Sequence, residues 1–496
     1  VGEVGIKRVI NGPMIWSPDS NVLFGPVPSV CNYFCCNGVI PGFSQSGGMG
    51  MLAAEWITKG ETQYDMFAWD LTRFGDWCSD KFTKERVRDQ YANRFKIHFP
   101  GEEREAGRPI RKRPAFKFQK ELGGVFGLNY GWEHPLYFDS DTPDTAGFTR
   151  QDWWKSVRRE ALMLRRNVGI IDISNFGKYI CHGNGAHEFL DRIFANKIPE
   201  KVGASCLSPI IGKMGGISAD ATITKINDET FWVVSSGAAE GFQQRFFNLI
   251  ELDEDTKFTS KTNDYCGFNV AGPKSRDLLQ RLSNKDLSKE AWPFFKSGSL
   301  AIAGIECVAL RVSFTGDLGW ELYCDEHDQL ALYEVLIKSA SQIGGGPVGS
   351  RALMSLRLEK GYGSWGREYS PEYWPHEVGL ERLISNKPDF INKGRVEDVL
   401  SMPAREKLVV LKLNPTDVLK SNADALGGEP IFKDGKGVGR VTSGGYGYSV
   451  DMSLALGFVK GLESGEEVDV MVLGKPHRAI ILNEPPFDPE SSILRG

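Results

Sequence analysis

The sequence has little excess charge, and it lacks any cysteine pattern that would hold a metal or build a disulfide framework. Its 496 residues carry a net charge of -5, which gives no electrostatic basis for binding nucleic acid or an anionic membrane surface. The nine cysteines are scattered, odd in number and include the adjacent pair Cys35-Cys36. This usage predicts free thiols in a reducing compartment and no metal site.

A long uncharged run is present, but it lacks the composition of a membrane-spanning helix. No charged side chain occurs from Ser20 to Ala54, yet the run is rich in Gly, Pro, Asn and Ser, which a bilayer helix does not carry at this density. We expect buried strands and loops there and no membrane anchor. The sequence shows no signal or transit peptide. It begins at Val1 without an initiator Met, which predicts a fragment or a mature product whose upstream part is absent.

Two short segments place single carboxylates next to glycine turns. The first is Gly215-Gly216-Ile217-Ser218-Ala219-Asp220, and the second is Val312-Ser313-Phe314-Thr315-Gly316-Asp317-Leu318-Gly319-Trp320-Glu321. Alternating apolar residues from Val308 to Phe314 predict the strand that delivers the second segment. A carboxylate among apolar neighbours is suited to gripping the polar edge of a flat heterocycle, and a second carboxylate can act on a nitrogen of the same ligand. We therefore expect Asp220 and Glu321 to converge on one ligand.

A cluster of glycines, Gly47-Gly48-Met49-Gly50, stands before an apolar stretch. The pattern predicts a helix Met51–Thr58 that this cluster opens, because glycines at a helix N-terminus let backbone N–H groups approach an anion or a flavin ring. Close packing of the helix on a strand explains the same glycines equally well.

The chain from about residue 119 onward resembles the folate-binding aminomethyltransferase module, the fold of the glycine-cleavage T protein. Its N-terminal region is similar to the last segment of the flavin domain in the dimethylglycine and sarcosine dehydrogenases, and the combination points to these two-headed enzymes. The matching segments are Asn11-Gly12-Pro13, Phe24-Gly25-Pro26-Val27-Pro28, Ser46-Gly47-Gly48-Met49-Gly50, Ala54-Glu55-Trp56-Ile57, Asp172-Ile173-Ser174, Gly215-Gly216 with Asp220, Val234-Ser235-Ser236, Ala271-Gly272-Pro273, Phe314-Thr315-Gly316-Asp317 with Gly319 and Glu321, Leu356-Arg357-Leu358-Glu359 and Asp389-Phe390-Ile391.

The resemblance implies an α+β, multidomain chain. The implied parts are the C-terminal remnant of an FAD-dependent oxidoreductase domain (1–60), a small central linker domain (61–118), a T-protein-like folate-binding domain (119–402) and a C-terminal β-barrel (403–496). The residues themselves also indicate the barrel, since short apolar strands alternate with Gly turns after Pro403. Residues 1–60 lack the dinucleotide fingerprint G-x-G-x-x-G that the family carries near its N-terminus, so FAD would be bound mainly by the missing upstream part.

The resemblance also assigns roles to residues of this sequence. It implies that Asp220 is catalytic and lies near the reactive folate nitrogens, and that Glu321 binds the donor edge of the pterin. Further implied folate contacts are Phe314, Ser235, Thr315, Arg357 and Trp365, and the implied flavin-proximal residues are Gly47, Gly48 and Gly50.

Three positions depart from the family pattern. Phe314 stands where a Tyr is common, Ser235 stands where the T protein has Asn, and Ala219 precedes Asp220 where the T protein has two adjacent Asp. The last departure favours the dehydrogenase branch. Loss of the phenolic hydroxyl leaves ring stacking but removes a hydrogen bond. Arg357 and Glu359 are as suited to a structural ion pair within a helix as to ligand contact.

The function implied by the resemblance is oxidative N-demethylation of the dimethylglycine or sarcosine type. The flavin head would oxidise an N-methyl group of a small methylated amine, and the folate head would trap the one-carbon unit on tetrahydrofolate as 5,10-methylenetetrahydrofolate. Electrons would leave the flavin to an electron-transfer flavoprotein or to oxygen. The expected location is the bacterial cytoplasm or the mitochondrial matrix.

Two alternatives to this function stay open at the level of sequence. One is a folate-dependent demethylase of another methylated amine or of a sulfonium. The other is a non-catalytic regulatory subunit like that of pyruvate dehydrogenase phosphatase, which shares the architecture.

Overall fold

A computed structural model describes residues 5–28 and 30–496. The expectation drawn from the first residues of the chain concerns Val1 and lies outside this described part. Within the described part, none of the helices combines the length with the apolar character that crossing a bilayer requires.

The N-terminal region is a hairpin followed by a long helix. Strand β1 (Leu23–Pro26) pairs with β2 (Phe34–Asn37), and helix α1 spans Gly42–Lys59. The glycine cluster therefore lies inside α1, and the prediction that it opens a helix at Met51 is wrong. Helix α1 buries one side, including Leu52 and Trp56, in a small apolar cluster. This packing outweighs the poor helix propensity of the glycines.

The middle region, residues 60–138, is mostly irregular and ends in a second hairpin. Its elements are α2 (Asp80–Asn93), α3 (Phe116–Glu121), β3 (Gly124–Asn129) and β4 (Trp132–Phe138). Tyr130 and Gly131 join β3 to β4 with φ of +49° and +81°. This is the two-residue loop with positive φ at both positions that matches the twist of a hairpin, and it puts the Tyr130 ring at the tip.

Two sheets with covering helices form the central module. In chain order its elements are α4 (Trp153–Arg166), β5 (Gly169–Asp172), β6 (Gly177–His182), α5 (Ala186–Ile193), β7 (Ser205–Ile211), β8 (Ile217–Asn227), β9 (Thr230–Ser235), α6 (Glu240–Phe247), β10 (Lys257–Ser260), β11 (Tyr265–Ala271), α7 (Ser275–Leu282), β12 (Ser297–Ile302), β13 (Ile305–Leu310), β14 (Gly319–Asp325), α8 (Gln329–Ser341), β15 (Gly346–Val348), α9 (Ser350–Glu359) and α10 (Lys393–Leu400). The five-stranded sheet has the order β10-β6-β9-β8-β7, and the six-stranded sheet has the order β12-β13-β14-β11-β5-β15.

The strand predicted from Val308 to Phe314 ends earlier than expected. Strand β13 stops at Leu310, and the next strand, β14, starts at Gly319. The intervening residues form a buried turn, because Arg311 donates to the carbonyl of Gly319 (3.2 Å) and the side chains of the turn bond to one another. Glu321 consequently lies in the interior of a strand.

The C-terminal region is a closed six-stranded barrel, which confirms the predicted β-barrel. Its elements are β16 (Lys407–Leu413), α11 (Pro415–Ser421), β17 (Pro430–Lys433), β18 (Lys436–Gly447), β19 (Met452–Val459), β20 (Glu467–Val472), β21 (Lys475–Ile481) and α12 (Ser492–Arg495). The barrel order is β16-β19-β18-β17-β20-β21, and alternate residues such as Leu411, Val470 and Ile481 fill its interior. The observed mixture of sheets, helices and barrel is the predicted α+β, multidomain class.

Candidate functional site

Asp220 lies near the start of β8, two residues after a β-bulge. The register of β7 and β8 shifts between Ile210 and Ile211, which makes Ser218 an extra residue on β8. The carboxyl group is half-buried, and burial raises the pKa of Asp220 to about 6. No ion pair reaches it from the described residues. A carboxyl with this pKa can accept and return a proton near neutral pH.

Glu321 is the second carboxylate and lies at the middle of β14. Its side chain is 8% exposed, and the Tyr323 hydroxyl donates to Oε2 at 2.7 Å. Among the residues that the structure describes, no Lys or Arg pairs with it. Burial raises the pKa of Glu321 to about 7, and the bond from Tyr323 opposes that rise. A buried carboxylate without a cation is costly unless a partner arrives to satisfy it.

The strand registers place both carboxylates between the two sheets. Thr222 on β8 lies opposite Val234 on β9, and residues two apart on a strand share a face. Asp220 therefore shares a face with Trp232 and Val234. On β14, Trp320 and Leu322 pack in one core cluster, so Glu321 and Tyr323 face the other way. The rings of Trp232 and Tyr323 lie 5.6 Å apart, which joins these two inner faces.

Aromatic side chains surround the region near Asp220. Trp365 donates its indole N–H to the carbonyl of Ser218 at 2.9 Å, two residues from Asp220. The Phe67 ring of the middle region lies 4.8 Å from the Trp365 ring, and Phe242 lies 5.9 Å from it. Flat apolar walls of this kind favour a planar ligand.

Sequence reasoning missed Phe67, Phe242 and Tyr369 as neighbours of the site. Burial, and then the charge of Asp220, raise the pKa of Tyr369, which shows that this phenol is close to the carboxylate. The local signal for Tyr369 is its position four residues after Trp365 in the same loop. Phe67 has no local signal, because the rings that it contacts, Phe242 and Trp365, lie far from it in the sequence.

Phe314 lies in the turn between β13 and β14 and packs against the loop after α9. Its ring lies 6.0 Å from the Tyr362 ring at 23°, and it borders the same apolar cluster as Trp232. The side chain thus lies at the border of the apolar cluster that includes Trp232 and Tyr323. Its contact with folate stays a prediction.

Three other predicted folate contacts have partners within the protein. The hydroxyl of Thr315 is fully buried and donates to Asp317 at 2.8 Å, and Ser235 donates to Gln243 at 2.6 Å. Arg357 donates to the Tyr362 carbonyl and to Glu368 at 2.9 and 3.0 Å. The roles of these three residues in ligand binding stay predictions, and the described contacts are structural.

The ion pair considered between Arg357 and Glu359 does not form. Arg357 pairs with Glu368, whereas Glu359 pairs with Arg165 of α4 at 2.9 Å. Residues two apart on a helix point to different sides, so the side chains of Arg357 and Glu359 do not face each other.

The flavin-proximal candidates Gly47, Gly48 and Gly50 form an exposed strip of α1. A Cβ added at any of them would meet nothing within 4 Å. Because they lie beyond the first turn of the helix, their N–H groups are not among the free donors of its N-terminus. Two literal matches to G-x-G-x-x-G, 344–349 and 361–366, start after α8 and α9 and not after a strand. Neither match therefore has the strand–turn–helix context of a dinucleotide-binding fingerprint.

A cleft of about 530 Å³ opens between the middle region and the central module. Its lining includes Arg73, Trp77 and Tyr130 from the middle region, and Asn175 and Gly237 from the ends of β6 and β9. Asp220 and Glu321 are not among its lining residues. In residues 5–28 and 30–496, no group of three or more potential metal ligands is present.

Comparison with known proteins agrees with this architecture. Residues 59–112 match the FAD dependent oxidoreductase central domain, residues 115–387 match the GCVT N-terminal domain, and residues 407–488 match the glycine cleavage T-protein C-terminal barrel domain. The aminomethyltransferase T of the glycine cleavage system from Bartonella henselae has a TM-score of 0.66 at 22% identity, over 77% of this chain and 99% of that one. This similarity shows a shared fold.

Two relatives extend the match to nearly the whole chain. Mitochondrial dimethylglycine dehydrogenase of Mus musculus is 35% identical over 492 residues, which cover 97% of this chain and 56% of that protein. Mitochondrial sarcosine dehydrogenase of Mus musculus is 26% identical over 553 residues, which cover 100% of this chain and 59% of that protein. The chain thus spans little more than half the length of these relatives. It belongs to the glycine cleavage T-protein (GCVT) family, whose N-terminal domain model matches residues 115–387, and it is similar to the dimethylglycine and sarcosine dehydrogenases.

Proposed function

We propose that this chain is the folate head of a flavin-dependent N-demethylase of the dimethylglycine or sarcosine type. The head would transfer the one-carbon unit released from a small methylated amine to tetrahydrofolate, giving 5,10-methylenetetrahydrofolate. The observation that carries the proposal is the pair of carboxylates, half-buried Asp220 and buried Glu321, which have no cation partner among the described residues and belong to the inner faces of the two sheets.

Glu321 supplies the binding interaction in this proposal. The pterin edge of folate presents adjacent N–H donors, and an ionised carboxylate accepts two parallel N–H bonds strongly where water is excluded. Among residues 5–28 and 30–496, the Tyr323 hydroxyl is the one donor to its oxygens. The buried position makes ionisation of Glu321 unfavourable without a ligand, so bound donors would satisfy a charge that the protein leaves unsatisfied.

Asp220 supplies the proton chemistry. Joining formaldehyde to the two folate nitrogens forms two N–C bonds, and the carbonyl oxygen leaves as water with the two amine protons. A carboxyl whose pKa is about 6 can take a proton from one nitrogen and deliver it to the leaving oxygen. Its negative charge then stabilises the positive charge that develops on the one-carbon unit. The aromatic walls around Trp365 hold the reactants together and limit the escape of formaldehyde.

The oxidative half of the reaction is proposed for the longer protein. We infer that the longer protein holds the flavin mainly outside this chain, so no step through FAD is assigned to the residues described. We infer that the exposed glycine strip of α1 faces the flavin head, and that an electron-transfer flavoprotein or oxygen accepts the electrons. We also infer a mitochondrial or bacterial setting, because the mouse relatives are named as mitochondrial proteins.

Titration of this chain with tetrahydrofolate tests the proposal. We expect micromolar binding by calorimetry, with binding abolished by Glu321→Ala and retained by Asp220→Asn. Asp220→Asn should also slow the catalysed formation of methylenetetrahydrofolate, measured after subtraction of the uncatalysed rate. Glu306→Ala is the matched control, since Glu306 is an exposed carboxylate on the same sheet. No binding by the unmodified chain would contradict the proposal and favour a regulatory subunit without turnover.

A further inference from the structure

Glu61 is a carboxylate of the middle region that is inserted against the β7–β8 connection. The backbone N–H of Met214 donates to its Oε2 at 3.1 Å. The Ser218 hydroxyl approaches its Oε1 at 3.4 Å. One side chain therefore fixes both the glycine-rich connection and the start of β8.

The segment held by Glu61 includes the bulge that aims Asp220. Ser218 is the extra residue of β8, and a bulge bends its strand and re-aims the side chains that follow. Asp220 is two residues further along, on a regular part of β8. A change in the position of Ser218 would therefore change the direction of the Asp220 carboxyl.

The opposite side of this segment is held by the loop after α9. Trp365 donates to the Ser218 carbonyl at 2.9 Å, and the Ile217 N–H donates to the Tyr373 carbonyl at 3.0 Å. A Cβ at Gly216 would lie 1.8 Å from the Pro371 carbonyl oxygen, so the backbone has no room to shift toward this loop. The bulge lies between two supports, of which Glu61 is the one from the middle region.

A second contact joins the same two supports to each other. The Asp65 N–H donates to Glu372 at 3.1 Å, and Phe67 packs on Trp365. The stretch 61–67 thus touches both sides of the bulge within seven residues. Movement of the middle region relative to the central module would be transmitted directly to β8.

We propose that Glu61 is a positioning residue for Asp220, which acts through the Ser218 bulge and makes the alignment of Asp220 depend on the docking of the middle region. The predicted effect of Glu61 on turnover rests on the proposed function. The predicted effect of Glu61 on the position of β8 rests on the contacts alone. Glu61 itself touches no substrate.

The matched control is Glu429, whose carboxylate accepts from two successive N–H groups, those of Leu426 and Gly427, at 2.8 Å each. It lies in the barrel region and belongs to no contact around Asp220. Glu61→Gln and Glu429→Gln each remove one anionic acceptor from a backbone turn. Glu61→Asp keeps the charge and shortens the side chain.

Hydrogen exchange measured by mass spectrometry is the first readout and needs no folate. In Glu61→Gln we expect amides of residues 212–222 to exchange about tenfold faster than in the parent chain, with partial rescue in Glu61→Asp and no change there in Glu429→Gln. The midpoint of thermal unfolding is expected to shift equally in the two Gln variants. Unchanged exchange in 212–222 would overturn the inference.

Steady-state kinetics with formaldehyde and tetrahydrofolate is the second readout. We expect Glu61→Gln to lower kcat about tenfold, to leave the KM for tetrahydrofolate unchanged because Glu321 is intact, and to move the limb of the pH profile that reports Asp220. An unchanged kcat and pH profile would overturn the catalytic part of the inference. A parent chain without turnover would instead contradict the proposed function, and the exchange result would still decide whether Glu61 fixes β8.

Discussion

Two carboxylates of one segment have opposite surroundings: Asp317, in the turn between β13 and β14, has a cation partner, and Glu321, in β14, has none among the described residues. Asp317 in the turn is 1% exposed and pairs with Arg165 and the Thr315 hydroxyl. Glu321, four residues later, accepts one hydrogen bond within the described part of the chain, from the Tyr323 hydroxyl. Burial raises the pKa of both, but Arg165 counteracts the rise at Asp317. The contrast separates a carboxylate that holds the fold together from one that the fold leaves for a partner.

Replacing Asp317 should have the largest effect, and the effect should be on stability. Asp317→Ala removes one of the two carboxylates that pair with Arg165, whose side chain is 5% exposed, and leaves the cation with Glu359. Breaking a buried pair by removing one partner costs about 3 kcal/mol or more. We expect a decrease of this size in the free energy of unfolding, measured with urea. Arg478→Ala is the control, because its pair with Glu467 is mostly exposed and should contribute less than about 0.5 kcal/mol. Equal decreases in the free energy of unfolding for Asp317→Ala and Arg478→Ala would show that Asp317 does not stabilise the fold more than an exposed pair does.

Replacing Glu321 should change stability in the opposite direction. The pKa of Glu321 is about 7 in the folded chain against an ordinary value of 4.5, so the folded state loses stability as the pH rises from about 4.5 through 7. Glu321→Gln removes that loss. We expect the free energy of unfolding to increase by about 1–3 kcal/mol at pH 8 and to be unchanged at pH 4. A destabilised variant at pH 8 would show that Glu321 has a structural partner.

The pH dependence of folate binding should report the same carboxyl. Below pH 7, binding to the ionised form requires Glu321 to lose a proton first. We therefore expect the affinity for tetrahydrofolate to rise about tenfold per pH unit up to about pH 7 and to level off above it. Calorimetry between pH 5.5 and 8.5 measures this slope. In Glu321→Gln, the residual binding should be independent of pH over the same range, and a slope that persists there would assign the titration to another group.

The contrast between the two carboxylates was only partly visible in the sequence. Turn chemistry and strand alternation are local, so the glycine turns and apolar neighbours were enough to predict Glu321, together with Asp220, as a ligand-binding carboxylate. Arg165, which makes Asp317 structural, lies about 150 residues away from it. Nothing local distinguishes a carboxylate that has such a partner from one that does not.

The same limit explains the two errors in local structure. Glycines 47, 48 and 50 disfavour a helix interior, yet tertiary packing of Leu52 and Trp56 extends α1 back to Gly42. The alternation from Val308 to Phe314 predicted one strand, but buried hydrogen bonds within the turn end it at Leu310. In contrast, the barrel was predictable since each of its strands carries its own alternating pattern and ends at a glycine turn.

Adding a hydroxyl at Phe314 should have the smallest effect, a small gain in affinity for tetrahydrofolate. It tests how far the ligand site of Glu321 extends into the turn that holds Asp317. Phe314 is a partly buried ring within the turn, and it stacks on Tyr362 at 6.0 Å. If the edge of this ring faces the ligand that Glu321 binds, Phe314→Tyr adds one hydrogen bond of about 0.5–1 kcal/mol, so the affinity for tetrahydrofolate should increase about threefold with unfolding free energy unchanged. Tyr362→Phe, which removes a hydroxyl from the other ring of the stack, should leave the affinity unchanged. Reduced stability in Phe314→Tyr without a gain in affinity would place the ring edge in the core and would limit the folate site to the Glu321 side of the turn.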